Sequence, residues 1–332
     1  MRRTLALLLL AAIFVSAQSV PPPGPPRIKP PKKEKEPETQ TLPLPPEPPS
    51  AVIGETAKLA FHVSPLSGKG LLTQQVRDAL KALDRANGGA TFVKLRAFVA
   101  GTGDMRRVVT IVSEEFFDRK MPLPAVTTVQ VGALPLEGAQ VVIESISAEK
   151  KTLNPNGLAF FSARRPAELV AAAKTQDAVM VQITCFVADV DQASSARVAS
   201  AAFPGAAVNL VQLTRLAVDP ETSCEGIGRL QKPGKSPPKL VFTAIQMAFG
   251  SQEPDLRLAY GRLGRALETM KASYGDSLVM SVYSLSRATA DKAAVIAPEF
   301  LGRARPVGST QIVEGLPSLD ATVAIELVAS AP

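Results

Sequence analysis

A chain of 332 residues, 46% of them apolar, is long enough for two or three domains of about 100 to 150 residues with cores of their own. Of its net charge of +7, two come from Arg2 and Arg3 and one from a proline-rich stretch, so residues 51–332 carry only +4. With no basic stripe interleaved with aromatics, that balance excludes a nucleic-acid partner. One His and two Cys without ligand spacing exclude a zinc site of the usual composition, so no metal and no cofactor is expected.

The N-terminus, MRRTLALLLLAAIFVSAQS, joins an arginine pair to an apolar run and the small-residue pattern Val15-Ser16-Ala17. It reads as a signal peptide over residues 1–17, which implies a periplasmic or secreted protein. The run from Leu5 to Val15 is shorter than the ~20 residues of a spanning helix, so the membrane is met only through this segment, if it stays uncleaved. Residues 18–50 follow as a linker. Residues 20–50 hold 13 of the 29 prolines among mixed Lys and Glu, a composition that buries no core and predicts a disordered, semi-rigid tether.

From residue 51 the chain repeats itself. KLAFHVS (58–64) predicts a strand. A helix follows, capped by Thr73, with Val76, Leu80 and Leu83 on one face and Asn87-Gly88-Gly89 as its stop. FVKLRAFVA (92–100) predicts a second strand, and Arg106–Phe117 a helix turning Val108, Ile111, Val112 and Phe116 inward. AVTTVQVGA and QVVIESIS close a β-α-β-α-β-β unit over 51–150. The middle unit, 151–232, is divergent and shortened. GLAFFSA, a brief AELVAAAKTQ helix, VMVQITCFVAD, SSARVASAAF, VNLVQLTRLA and ETSCEGIG fill the six slots. The last unit, 237–332, runs KLVFTAI, a helix on Tyr260, Leu263, Leu267 and Met270, LVMSVYSL, DKAAVIAPEF, GSTQIVEG and ATVAIELVA. PAVTTVQVGALP (124–135) returns 182 positions later as PVGSTQIVEGLP (306–317), which marks the repeat.

Each unit resembles the YjgF/RidA family of reactive imine and enamine deaminases, through its FVSGQ-like and VFLTD-like strands, the P-A-R-S-T-V-E-V-x-x-L-P segment and the final E-I-E-A-I-A strand. The resemblance covers about 57–330. It implies an α/β (α+β) fold of three chorismate-mutase-like units forming an intramolecular pseudo-trimer, a monomer in place of three subunits, with clefts between units. Linking the three turns a concentration-dependent association into an intramolecular one.

In that family the Arg of P-A-R-S-T grips the substrate carboxylate as a bidentate fork. Here the positions hold Val126, Val208 and Gly308. The carboxylate of the last strand persists as Glu144, Glu225 and Glu326. Two readings stand for these: bases or water-positioning groups in the clefts, or structural carboxylates at the unit interfaces.

Cys185 and Cys224 form an even pair in an exported chain and so read as a disulfide. In the family fold their strands are neighbours, so the sulfurs could meet across a ladder; two buried free thiols are the other reading. His62 reads as an ordinary strand residue. SGKGLLT (67–73) lacks the upstream Gly and hydroxyl of a phosphate loop, and GTGDM (101–105) is a turn.

Two functions follow. One is a non-catalytic exported protein binding a small molecule or protein partner at the inter-unit clefts. The other is an imine or enamine hydrolase anchoring its substrate through Arg96, Arg215 or Arg305. Arg and Glu converging in a cleft would favour the second; an apolar or filled cleft would favour the first.

Overall fold

The structure, a computed structural model, describes residues 24, 44–101, 105–191, 194, 196–216 and 221–332. The segments expected to be a signal peptide and a linker, up to residue 43 apart from Gly24, and residues 102–104 of the expected GTGDM turn lie outside the described residues.

The chain begins its folded course with β1 (Ala51–Glu55) and β2 (Leu59–Val63). Helix α1 (Leu72–Asn87) buries Val76, Leu80 and Leu83 and ends at Gly88, whose positive φ of 57° supplies the left-handed turn that glycine tolerates best. Its cap lies two residues ahead of the expected Thr73. The chain turns at Gly70, Leu71 takes the cap position without a side-chain hydrogen bond, and Gln75 anchors the first turn by donating to the Gly70 and Gly138 carbonyls. Strand β3 (Thr91–Ala100), helix α2 (Met105–Asp118), β4 (Ala125–Val131) and β5 (Val141–Ala148) complete the first unit. Val108, Ile111, Val112 and Phe116 of α2 are all buried against the sheet, as their spacing predicts.

The second unit is β6 (Leu158–Arg164), α3 (Pro166–Thr175), β7 (Ala178–Val187), α4 (Ala196–Ala202), β8 (Ala207–Gln212) and β9 (Ser223–Leu230). Its helices have 10 and 7 residues against 16 and 14 in the first unit, so its helical layer covers less of the sheet. Cys185 and Cys224 face each other across β7 and β9 and are joined by a disulfide in the apolar layer beneath α3.

The third unit is β10 (Lys239–Thr243), β11 (Gln246–Phe249), α5 (Glu253–Thr269), β12 (Ser277–Ser284), α6 (Arg287–Leu301), β13 (Val307–Ile312) and β14 (Ala321–Ala331). Ser286 caps α6 by accepting the Thr289 N–H.

All three sheets share one strand order: β2-β5-β3-β4, β6-β9-β7-β8 and β10-β14-β12-β13. In each, the central strand pairs in parallel with the fourth and antiparallel with the last. One strand departs from the unit boundaries read from the sequence. β1 joins not the first sheet but the third, pairing antiparallel with β10 from Ala51↔Thr243 to Glu55↔Lys239. It thereby covers a strand edge that would otherwise expose unpaired backbone groups.

The twice-written phrase lies where units touch. Gln130 of unit one bridges Gly315 of unit three, Ala133 of unit one bridges Gln212 of unit two, and the Arg215 N–H of unit two donates to Glu314 of unit three. The three contacts form a closed ring. A Cβ on Gly132 would come within 2.4 Å of the Thr214 backbone, so the close approach there requires glycine. Phe98, Phe186 and Tyr283, which hold matching positions on β3, β7 and β12, meet in a shared core among the units.

Candidate functional site at the junction of the three units

The inward faces of the central strands set the chemistry of the junction. Register aligns Arg96, Thr184 and Ser281 on β3, β7 and β12, each opposite the glutamate of its own unit: Glu144, Glu225 and Glu326. Two residues earlier stand Lys94, Gln182 and Val279, and on the adjacent parallel strand Thr127, Asn209 and Ser309.

Arg96 is the hub. Its Nε donates to Glu144 Oε2 at 2.7 Å, Nη1 to Glu225 Oε1 at 2.6 Å and to the Tyr283 hydroxyl at 3.1 Å, and Nη2 to Thr184 Oγ1 at 2.9 Å. The guanidinium also lies 5.2 Å from the Phe98 ring centroid. One cation thus touches side chains of all three units. Burial works against its charge, yet Glu144, Tyr283, Glu225 and Glu326 together hold its pKa well above the ordinary arginine value.

Each glutamate faces the next unit. Glu144 accepts from Thr184 Oγ1 at 2.6 Å and from Asn209 Nδ2 at 2.7 Å, both of unit two. Glu326 accepts from Lys94 Nζ at 2.5 Å and from the Thr127 hydroxyl, both of unit one, and from its own unit's Tyr283 at 2.9 Å. Lys94 also donates to Thr127 Oγ1 and to the Thr243 carbonyl, which satisfies all three of its protons. Burial pulls the Lys94 pKa below the lysine value while Glu326 resists. Burial likewise pushes Glu326 up, but Lys94 and Arg96 prevail and hold it below the usual carboxylate range. Burial foremost drives the Tyr283 phenol far above its ordinary value, against the pull of Arg96.

By the same rotation Glu225 should be met by Val279 and Ser309 of unit three. It is not. Arg96 is its one hydrogen-bond partner among the described residues, and a cavity of about 90 Å³ opens there. All five charged groups of the junction line it, with Gln182, Ser281 and Ser309, and its walls include Phe160, Phe242 and Val279. The Ser309 hydroxyl is buried without a hydrogen-bond partner. Two cations and three carboxylates give the junction a formal charge of −1.

Of the residues singled out in the sequence, the three glutamates and Arg96 converge here. Arg305 does not: it is exposed and donates to the Gly302 and Ala304 carbonyls. Arg215 is exposed as well. Val126 packs in the core under α1 and α2, Val208 packs against the core of unit two, and only Gly308 borders the cavity. Lys94 was missed, although FVKLRAFVA carries its signal: two cations at i and i+2 fall on one face of a strand otherwise apolar. His62 is half-buried in β2, where burial lowers its pKa. Among the described residues no group of three or more His, Cys, Asp or Glu side chains could hold a metal ion, and no helix is long and apolar enough to cross a membrane.

No family model and no curated protein matches the chain. Solved structures do. A member of the YjgF/YER057c/UK114 family from Mycobacterium tuberculosis is 25% identical, covering 28% of this chain and 79% of its own, with a TM-score of 0.27. TdcF from E. coli with bound serine is 21% identical over 28% and 81%, with a TM-score of 0.26. A YjgF-family protein from Neisseria meningitidis is 14% identical over 28% and 80%, also at 0.26. In fold the chain is similar to the YjgF/RidA family, and it carries that unit three times.

Proposed function

We propose that this chain is an exported, monomeric RidA-like binding protein without deaminase activity, which holds a small molecule in the cavity between its units. The observation that carries the reading is the saturation of Arg96. A substrate carboxylate needs a free guanidinium fork, and this one is taken by Glu144, Glu225, Thr184 and Tyr283. An incoming carboxylate would have to displace one already held and would enter a junction of formal charge −1. Arg and Glu therefore converge, yet they serve each other. The structural reading of Glu144 and Glu326 is supported by their bonds to the neighbouring unit, while Glu225, which lines the cavity with them, receives no side-chain donor from unit three among the described residues.

Export is supported by the signal-like N-terminus and by the Cys185–Cys224 disulfide, a bond that persists in an oxidising compartment. A single chain with three linked units supports the monomer, because the ring of contacts is already closed within it. The test is incubation of the mature protein with 2-imino acids generated in place by an amino-acid oxidase. No acceleration over the uncatalysed rate is expected. Robust turnover that falls on Glu225→Gln would overturn the reading in favour of the hydrolase.

A further inference from the structure

The three glutamates pose one question three times, and the chain answers it differently at each. At Glu326 the neighbouring unit inserts an ammonium: Lys94 sits among the Glu326 carboxylate, the Thr127 hydroxyl and the Thr243 carbonyl. At Glu144 it inserts neutral donors, Thr184 and Asn209. At Glu225 it inserts nothing. Val279 stands where Lys94 stands, too short to cross the gap, and Ser309 stands where Thr127 stands. Phe161, at the place in β6 that Thr243 holds in β10, lines the same space.

What the open position lacks is therefore defined by its filled counterpart. Resting on the reading of the cavity as a ligand site, we propose that it takes a small primary-ammonium compound without a carboxylate, held between Glu225 and Ser309 as Lys94 is held between Glu326 and Thr127. The chemistry of the lining agrees. Ser309 is 6% exposed and its hydroxyl has no partner. Gln182 is 5% exposed and lines the cavity, and no side-chain hydrogen bond reaches it among the described residues. An ammonium brings three donors and one positive charge, which meets the formal deficit of the junction. The apolar walls at Phe160, Phe242 and Val279 suit the short carbon chain behind it, the part that the Lys94 side chain plays in the filled site. A ligand carboxylate in the same place would face Glu225 with no free cation.

Titration calorimetry with three three-carbon probes, propylammonium, propionate and propanol, tests this on the mature chain. Saturable binding of propylammonium is expected, with propionate and propanol at least tenfold weaker. Val279→Lys puts an ammonium of the chain's own into the space and should abolish the binding. Ser309→Leu should block the same space from β13, since the Ser309 side chain is buried at the cavity and its hydroxyl has no partner there to lose. Glu225→Gln keeps the shape and should weaken binding at least about tenfold, the usual loss when a charged hydrogen-bond partner becomes neutral. Circular dichroism identifies any variant that fails to fold, and the other two then decide. Propylammonium binding unchanged in the folded variants overturns the proposal. Binding of propionate or propanol that the two blocking variants abolish overturns the ammonium assignment and leaves the cavity a ligand site. A wild-type chain that binds none of these probes, nor any member of a mixed panel of small metabolites, overturns the ligand-site reading itself.

Discussion

At Glu326 the neighbouring unit offers Lys94 and Thr127; at Glu225 the same two strand positions offer Val279 and Ser309. Both carboxylates line the cavity, but Glu326 is held by Lys94, Thr127 and Tyr283, whereas among the described residues the Glu225 side chain is held by Arg96 alone. The difference shows what fusing three units permits. In a symmetric homotrimer any residue at the Arg96 position appears three times around the axis, and three guanidiniums would crowd one another at short range. A single chain places Arg at one position, Thr184 and Ser281 at the other two, and lets one arginine bridge two glutamates while Lys94 pairs with the third. It can also supply two of the glutamates with donors from the neighbouring unit and leave the third without them.

The comparison is broken most severely by removing the hub. Arg96→Met leaves Glu144 and Glu225 without their cation and deprives Tyr283 of a donor. Stranding a buried charge costs about 3–5 kcal/mol, and chemical denaturation should register a loss at or above the upper end of that range. Lys94→Met exposes Glu326 alone, and a loss nearer the lower end, about 3 kcal/mol, is expected in the same measurement. A variant as stable as the parent would show that these pairs do not hold the units together.

The second unit sharpens the contrast in another way. Its short helices leave its sheet the least covered, and the disulfide ties β7 to β9 just there. Cys185→Ala with Cys224→Ala should cost about 2–4 kcal/mol, seen as a lowered denaturation midpoint under non-reducing conditions. Retention of full stability would mean that the α3 and α4 layer suffices.

A smaller effect is expected with pH. Because Glu326 is held below its unfolded value, its contribution is fully present above about pH 4.3, the ordinary glutamate pKa. It is lost as pH falls through the folded value. Glu326→Gln should therefore flatten the acid limb of the stability curve, and Glu268→Gln on the exposed face of α5 is the surface control to compare it with. Equal slopes in the two would remove Glu326 from the account.

Much of the fold is legible in the sequence because its signals are local. The 3.6-residue apolar spacing of α2, the Gly88 stop and the recurring Glu of the last strand each sit within a dozen residues. The partner of β1 is not legible, since AVIGE carries no mark that it will pair with residues 239–243 rather than with its own unit. Nor is the junction. Whether Lys94 meets Glu326, or Glu225 meets nothing, depends on how three units rotate against one another, a relation set by distant backbone contacts such as Gln130 with Gly315. Val126 shows the same limit. It occupies the family's arginine position in the sequence, yet its side chain packs beneath the helices and not in the cavity.

The most direct measurement is a crystal structure of the mature protein grown with propylammonium. The account predicts density for the ammonium within hydrogen-bonding distance of Glu225 and Ser309, with Lys94 still on Glu326 and Arg96 still bridging Glu144 and Glu225. An empty cavity at saturating concentration, or a Glu225 carboxylate turned away to another partner, would contradict it.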